Sequence, residues 1–187
     1  MGDPVRDLKD TNLINKVLAA AHNEDVAERF MFWSDDQLLT GPLDLDKAPV
    51  VYNVRSMPQF AGTPNKWYNR MEHTLNYVKE HTGHELKHNY DAHTPQPYTK
   101  SKVIEVFESV PYKEQPGFCI NTIYYGMLGV PPTAEQTSIK HTFEKGSMAI
   151  PAKMLTYAGY DDASWMRGGA YFFLGMFFDL SKYEAPK

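Results

Sequence analysis

Apolar positions along the chain follow two rhythms. Leu13, Ile14, Val17, Leu18 and Ala21 recur at the spacing of one helical face, behind Asp10-Thr11-Asn12, which carries the residue types of a helix cap. This predicts a helix ending near Ala21 or Asn23. Trp67, Met71, Leu75 and Val78 repeat the rhythm and predict a second helix over Trp67 to His84, with Glu72, His73 and Lys79 on its polar face and Gly83 near its end. Val103, Ile104 and Phe107 place a third helix behind Thr99-Lys100-Ser101, running to about Glu108. Ile120, Ile123, Tyr124 and Met127 share a face and place a fourth from Cys119, closed by Gly126, Gly129 and Pro131-Pro132.

The other rhythm is short and unbroken. Phe30 to Trp33 is an aromatic run of strand length and reads as a buried strand, followed by Ser34-Asp35-Asp36 and extended Leu38-Leu39. Thr40-Gly41-Pro42-Leu43 reads as a turn, Val50 to Val54 as a second strand, and Ser56 to Asn65 as a loop. From His88 to Tyr98 the chain is rich in proton-carrying side chains, and Pro95 and Pro97 hold it out of helix. Residues 133–148 read as loop, Met148-Ala149-Ile150 as a short strand, and Lys153 to Tyr157 and Asp161 to Met166 as short helical pieces. Tyr171 to Leu174 fits strand or core helix equally. Strands alternating with helices predict the α/β class. With no repeat, low-complexity segment or linker, residues 1–187 read as a single domain.

Composition narrows the function classes. The chain has 187 residues, of which 42% are hydrophobic, enough for a real core. A net charge of −4 gives no global case for nucleic-acid binding, although a local basic groove is compatible with it. The single Cys119 excludes an internal disulfide and a multi-cysteine zinc site, and its apolar neighbours Phe118 and Ile120 predict a buried, inert thiol. The start Met1-Gly2-Asp3-Pro4 lacks the basic and apolar parts of a signal peptide, and no apolar run reaches the ~18 residues of a membrane helix. The expected compartment is the cytoplasm.

Two stretches carry candidate chemistry. Asp35 and Asp36 end an apolar strand, and adjacent carboxylates repel unless a cation, a base or a shared proton offsets them. A divalent cation with oxygen ligands is the simplest solution, and an Asp-rich turn is the alternative. Asp91 and His93 lie on a Pro-bounded segment, as candidate base or ligand. Lys16, in the first predicted helix, is either solvated surface or a phosphate contact.

The order of these pieces resembles the nucleotide-sugar glycosyltransferases of the GT-A class. More narrowly, it is similar to the Stealth-type sugar-phosphate transferases of bacterial capsules and to related bacteriophage glycosyltransferases. Four stretches carry the resemblance: Asn15-Lys16, Phe32-Trp33-Ser34-Asp35-Asp36, Tyr90-Asp91-Ala92-His93-Thr94-Pro95, and Leu180-Ser181-Lys182-Tyr183-Glu184. The family's metal motif is usually Asp, any residue, Asp. Here Ser34 holds the first position, which moves the metal role to Asp36. Only about thirty residues precede the acidic strand end, fewer than two strands and their helices occupy. The resemblance therefore implies a GT-A-like domain, a mixed sheet flanked by helices, whose N-terminal strand-helix portion is missing.

It further implies metal-dependent transfer of a sugar or sugar phosphate from a nucleotide-diphospho-sugar to an acceptor such as phage DNA or a surface glycan. Asp36 would hold Mn²⁺ or Mg²⁺. Asn15, Lys16, Ser34 and Asp35 would lie at the donor, with Asp91 or His93 as acceptor base. Asn121 and Lys140-His141 are weaker candidates for donor or acceptor contact. Rival classes are a non-catalytic transferase remnant acting as a binding or assembly module, and a metal-dependent phosphoesterase built on Asp35, Asp36, Asp91 and His93. A nucleic-acid binder without catalysis lacks its basic stripe.

Overall fold

The computed structural model describes residues 9–34, 37–39, 42–53, 65–136 and 157–159. The elements in chain order are α1 (Lys9–Ala21), β1 (Arg29–Phe32), β2 (Gln37–Leu39), β3 (Val51–Asn53), α2 (Lys66–Thr82), β4 (Gln96–Thr99), α3 (Lys100–Ser109), α4 (Ile120–Leu128), β5 (Ala134–Gln136) and β6 (Tyr157–Gly159). This is the α/β class. The chain divides into two units. The first takes Met1–Phe32, Leu45–Ala92 and Gln96–Thr137, and the second Trp33–Asp44, His93–Pro95 and Ser138–Lys187. Among the described residues no helix is long and apolar enough to cross a membrane.

The four predicted helices form where their apolar spacing places them. In α1 the buried side chains are Thr11, Asn12, Ile14, Val17, Leu18 and Ala21. Helix α2 is capped at both ends: Asn65 is extended (φ −132°) and its side chain accepts from the Trp67 N–H at 2.9 Å. Gly83 is left-handed (φ 74°), and its N–H returns to the Lys79 carbonyl at 2.9 Å. The buried stripe of α2 is Met71, Thr74 and Val78, with Leu75 only half-buried. Thr99 precedes α3 but gives it no side-chain cap. Glu28, from the connector after α1, substitutes for it. The Glu28 carboxylate accepts from the Ser101 N–H at 3.2 Å and from the Ser101 hydroxyl at 2.5 Å. These bonds hold the Glu28 carboxyl below its ordinary range.

Strands pair in twos among the described residues. β1 and β4 are antiparallel, with Arg29 opposite Thr99 and Phe32 opposite Gln96. β3 and β5 are parallel, Val51 opposite Ala134, and β2 and β6 are antiparallel, Gln37 opposite Gly159. Three departures from the sequence pattern follow. Residues 134–136 read as loop yet pair with β3, because the Val50 carbonyl accepts from both the Thr133 and Ala134 N–H groups and sets the register. Residues 96–98 read as part of a Pro-bounded segment and Thr99 as a helix start, yet 96–99 form β4, with Pro97 opposite Met31. Tyr157 reads as helical yet opens β6. The readings at Ser56–Pro64, Met148–Ile150, Asp161–Met166, Tyr171–Leu174 and the Leu180–Glu184 motif lie outside the described residues.

The core of the first unit gathers α1, α3 and α4 against β4. Tyr98 on β4 is 1% exposed, stacks on Tyr124 (4.2 Å between centroids) and Phe32 (5.2 Å), and donates its hydroxyl to Asn121 at 2.7 Å. The hydroxyl of Tyr124 accepts from the Thr99 N–H at 3.0 Å, and that of Tyr125 donates to the Pro97 carbonyl at 2.6 Å. So α4 brings large apolar rings into the core, and their hydroxyls satisfy the backbone of β4. Cys119 is buried, as its neighbours predict, and burial pushes its thiol up.

Helices α2 and α4 meet at Gly126. A Cβ there would stand 2.8 Å from Val78 Cγ2 and 2.9 Å from Leu86 Cδ1. Val78 is fully buried and β-branched, so it yields little. Gly126→Ala is expected to cost about 1–3 kcal/mol through overpacking, despite the gain in helix propensity. Urea denaturation checks it; an unchanged or raised midpoint would show that the two helices separate freely.

Candidate functional site

The residues singled out from the sequence fall in different places. Asn15 lies on α1, half-buried, and its side-chain oxygen accepts from the Tyr112 hydroxyl at 2.9 Å, tying α1 to the segment after α3. Lys16 is exposed on the same helix. Asn121 is buried under Tyr98, a structural position. Asp35, Asp36, Lys140 and His141 lie outside the described residues.

The residues flanking the acid pair belong to the second unit and bond to each other. The Gln37 N–H donates to the Ser34 carbonyl at 3.3 Å, and the Trp33 indole donates to the Gln37 carbonyl at 3.0 Å. His93, half-buried, also belongs to the second unit, whereas Asp91 belongs to the first. Among the described residues no three His, Cys, Asp or Glu side chains converge to hold a metal. The hard carboxylate donors that Mn²⁺ or Mg²⁺ wants would come from Asp35 and Asp36, so the described donors, Ser34 and His93, define no coordination geometry.

A second site is fully described, within the first unit, and of its charged residues the sequence motifs mark only Asp91 as a candidate for chemistry. It begins with Asp91. The Asp91 N–H donates to the Asn89 side chain at 3.0 Å, and its carboxylate accepts from the Trp67 indole on α2. This places a carboxylate near the start of α2. Asp10, in the first turn of α1, is only 14% exposed and pairs with Arg70 of α2, 17% exposed, at 2.8 Å. The Arg70 Nε–H is not aimed along that line, so the contact is an ion pair rather than a directed hydrogen bond.

Burial pushes the Asp10 carboxyl up to about 6; Arg70 and Lys9 oppose that shift and the negative charge of Asp91 adds to it. Around this pair opens a cavity of about 250 Å³ whose polar lining is Asp10, Thr11, Lys66, Asn69, Arg70 and Gln115. The wall opposite the helices is the turn at Gln115–Gly117. There Gly117 is left-handed (φ 80°), its N–H returns to Glu114 at 2.9 Å, and its carbonyl accepts from His73 Nδ1 at 2.9 Å. Thr11 is fixed by its hydroxyl, which donates to the Tyr112 carbonyl at 3.0 Å. The cavity is therefore preformed, with each wall anchored by a named bond.

A buried ion pair in a polar cavity, with one member titrating near neutrality, is the arrangement in which proton transfer or ligand-coupled charge changes occur. The sequence signal for it was slight. Asp10 reads as a helix-cap residue, and Lys66 and Arg70 belong to no motif.

The displaced carboxyl has a consequence for stability. In the unfolded chain Asp10 takes its ordinary value of 3.8, and in the fold about 6. Between these values the folded state holds the extra proton, so stability is highest below the window and falls as pH rises through it. Asp10→Asn lacks this dependence. The wild type is expected to lose about 2 kcal/mol relative to Asp10→Asn between pH ~4.5 and ~7.5. Urea denaturation of both proteins at the two pH values checks it, and a constant difference would refute the burial of the charge.

No family model matches the chain, and no curated protein or solved structure matches it either.

Proposed function

We propose that the chain carries metal-dependent glycosyl-transfer chemistry, moving a sugar or sugar phosphate from a nucleotide-diphospho-sugar to a glycan or DNA acceptor on a GT-A-like scaffold. The observation that carries this reading is the β1–β4 register. Phe32 lies opposite Gln96. Ser34-Asp35-Asp36 follow Phe32 within four residues, and His93-Thr94-Pro95 immediately precede Gln96. Two stretches distant in sequence thus adjoin one antiparallel strand pair at the same end, the carboxyl end of β1 and the amino end of β4.

Each residue has a role in this reading. Asp36 would hold the cation, Asp35 being its neighbour in sequence. When bound, the cation neutralises charge on the departing diphosphate as a Lewis acid. Ser34 would offer a hydroxyl to the donor phosphates. His93 takes the proton from the acceptor hydroxyl, a task imidazole performs near neutrality. Asp91, whose carboxylate already binds the Trp67 indole, anchors the segment that carries His93.

The test is a thermal-shift screen of nucleotide sugars with and without Mn²⁺. One nucleotide class is expected to raise the melting temperature only when Mn²⁺ is present. Asp36→Ala should abolish that rise, and His93→Ala should keep it while losing transfer of labelled sugar. Stabilisation by no nucleotide sugar, or stabilisation that survives Asp36→Ala, would defeat the reading.

A further inference from the structure

The cavity at Asp10 and Arg70 holds more cationic and donor capacity than its own residues consume. Arg70 carries five N–H donors in a planar fork, a shape that fits two oxygens of one anion. Asp10 approaches that fork at Nε, and the Cys119 thiol also meets the guanidinium. Lys66 brings a second cation to the lining, and Asn69 and Gln115 add amide donors. The one carboxylate on the lining is Asp10. A volume of about 250 Å³ accommodates a tetrahedral or planar oxyanion with a small substituent. The backbone around it is held by the Asn65 cap of α2, the Thr11 hydroxyl and the His73–Gly117 contact.

We infer that this cavity is a binding site for a small oxyanion, a phosphate-type or carboxylate group held on Arg70 and Lys66, with Asp10 as an internal competitor for the guanidinium. The cavity lining contains none of the residues assigned to glycosyl transfer, and Asp91 acts on it only as a neighbouring charge, so the site stands or falls separately from that proposal.

The competition makes the site responsive to pH. Asp10 is faced by Lys9 from its own helix, by Arg70 from α2 and by Asp91 from the segment before β4; the Cys119 thiol before α4 shares this environment. Because the Asp10 carboxyl is pushed up to about 6, mild acid neutralises it and releases Arg70 to the ligand. At neutral pH the carboxylate holds the guanidinium and the ligand must displace it. Binding of an anion that does not itself titrate should therefore tighten as pH falls through this range, on the order of tenfold between pH ~7.5 and ~5.5.

Sulfate is the appropriate probe, since its charge is constant over that range. Isothermal titration of the full chain is expected to show sulfate binding at pH ~5.5 that weakens at pH ~7.5. Asp10→Asn should bind at both pH values with the affinity of the wild type in acid. Lys66→Ala, at an exposed position that leaves the fold intact, should weaken binding several-fold, and Arg70→Lys should weaken it further by removing the fork. Methyl phosphate and acetate then compete against sulfate, and the one that displaces it names the natural group. The inference is overturned if sulfate does not bind at pH ~5.5, if Lys66→Ala and Arg70→Lys bind like the wild type, if Asp10→Asn keeps the full pH dependence, or if neither competitor displaces sulfate.

Discussion

One side-chain amide joins the strand pairs of the first unit. Gln96 begins β4 and is fully buried, and its amide faces the backbone of β3. Its oxygen accepts from the Val51 N–H and its nitrogen donates to the Val51 carbonyl, both at 3.2 Å. The amide thus presents to β3 the donor and acceptor that another strand would present. Two short ladders that do not pair directly are held together by this contact. Leaving either Val51 group buried and unmet would cost about 1–3 kcal/mol. The Asn53–Asn89 bridge, with the Asn53 N–H on the Asn89 carbonyl at 2.8 Å, supports the same junction from the segment that leads to Asp91.

The same economy recurs around β4. Its four residues pair with β1, and the helix packed on it supplies tyrosine hydroxyls to Thr99 and Pro97. Burial pushes the phenols of Tyr90, Tyr98, Tyr124 and Tyr125 up, so they stay neutral and act as hydrogen-bonding groups throughout the ordinary pH range. Burial moves the Asp10 carboxyl the same way, but to about 6, where it still titrates.

How much was legible in the sequence follows from how local each feature is. The four helices are written in period and punctuation: Leu13 to Ala21, Asn65 and Gly83 around α2, Gly129 after α4. The aromatic run gives β1 as a strand, one residue earlier and half-buried rather than buried, and the buried Cys119 is equally local. β5 was not legible, because Ala134-Glu135-Gln136 has no strand composition and takes its conformation from β3, more than eighty residues earlier. The cap on α3 was misplaced for the same reason: Thr99 stands in the usual position, but Glu28 does the bonding from a distant connector. Of the candidate site, the sequence pointed to Asp91 and His93 but not to Asp10, Lys66 and Arg70, whose meaning appears only when the starts of α1 and α2 and the Gln115 turn are brought side by side. Asp36 drew attention by its adjacency to Asp35, a pattern that needs no folding to be seen.

The contact between α2 and α4 bears on how this chain can vary. Position 126 lacks a side chain because Val78 and Leu86 fill the space where one would start. Bulk at 126 and bulk at 78 therefore draw on one volume, and their effects are not independent. A methyl added at 126 needs both a smaller residue at 78 and a shift of the Leu86 side-chain end, and an enlarged residue at 78 shuts out even the smallest addition at 126. Homologous chains should then show these two sites changing in concert, large exchanged for small across the helix pair, with either change alone more costly than the two together.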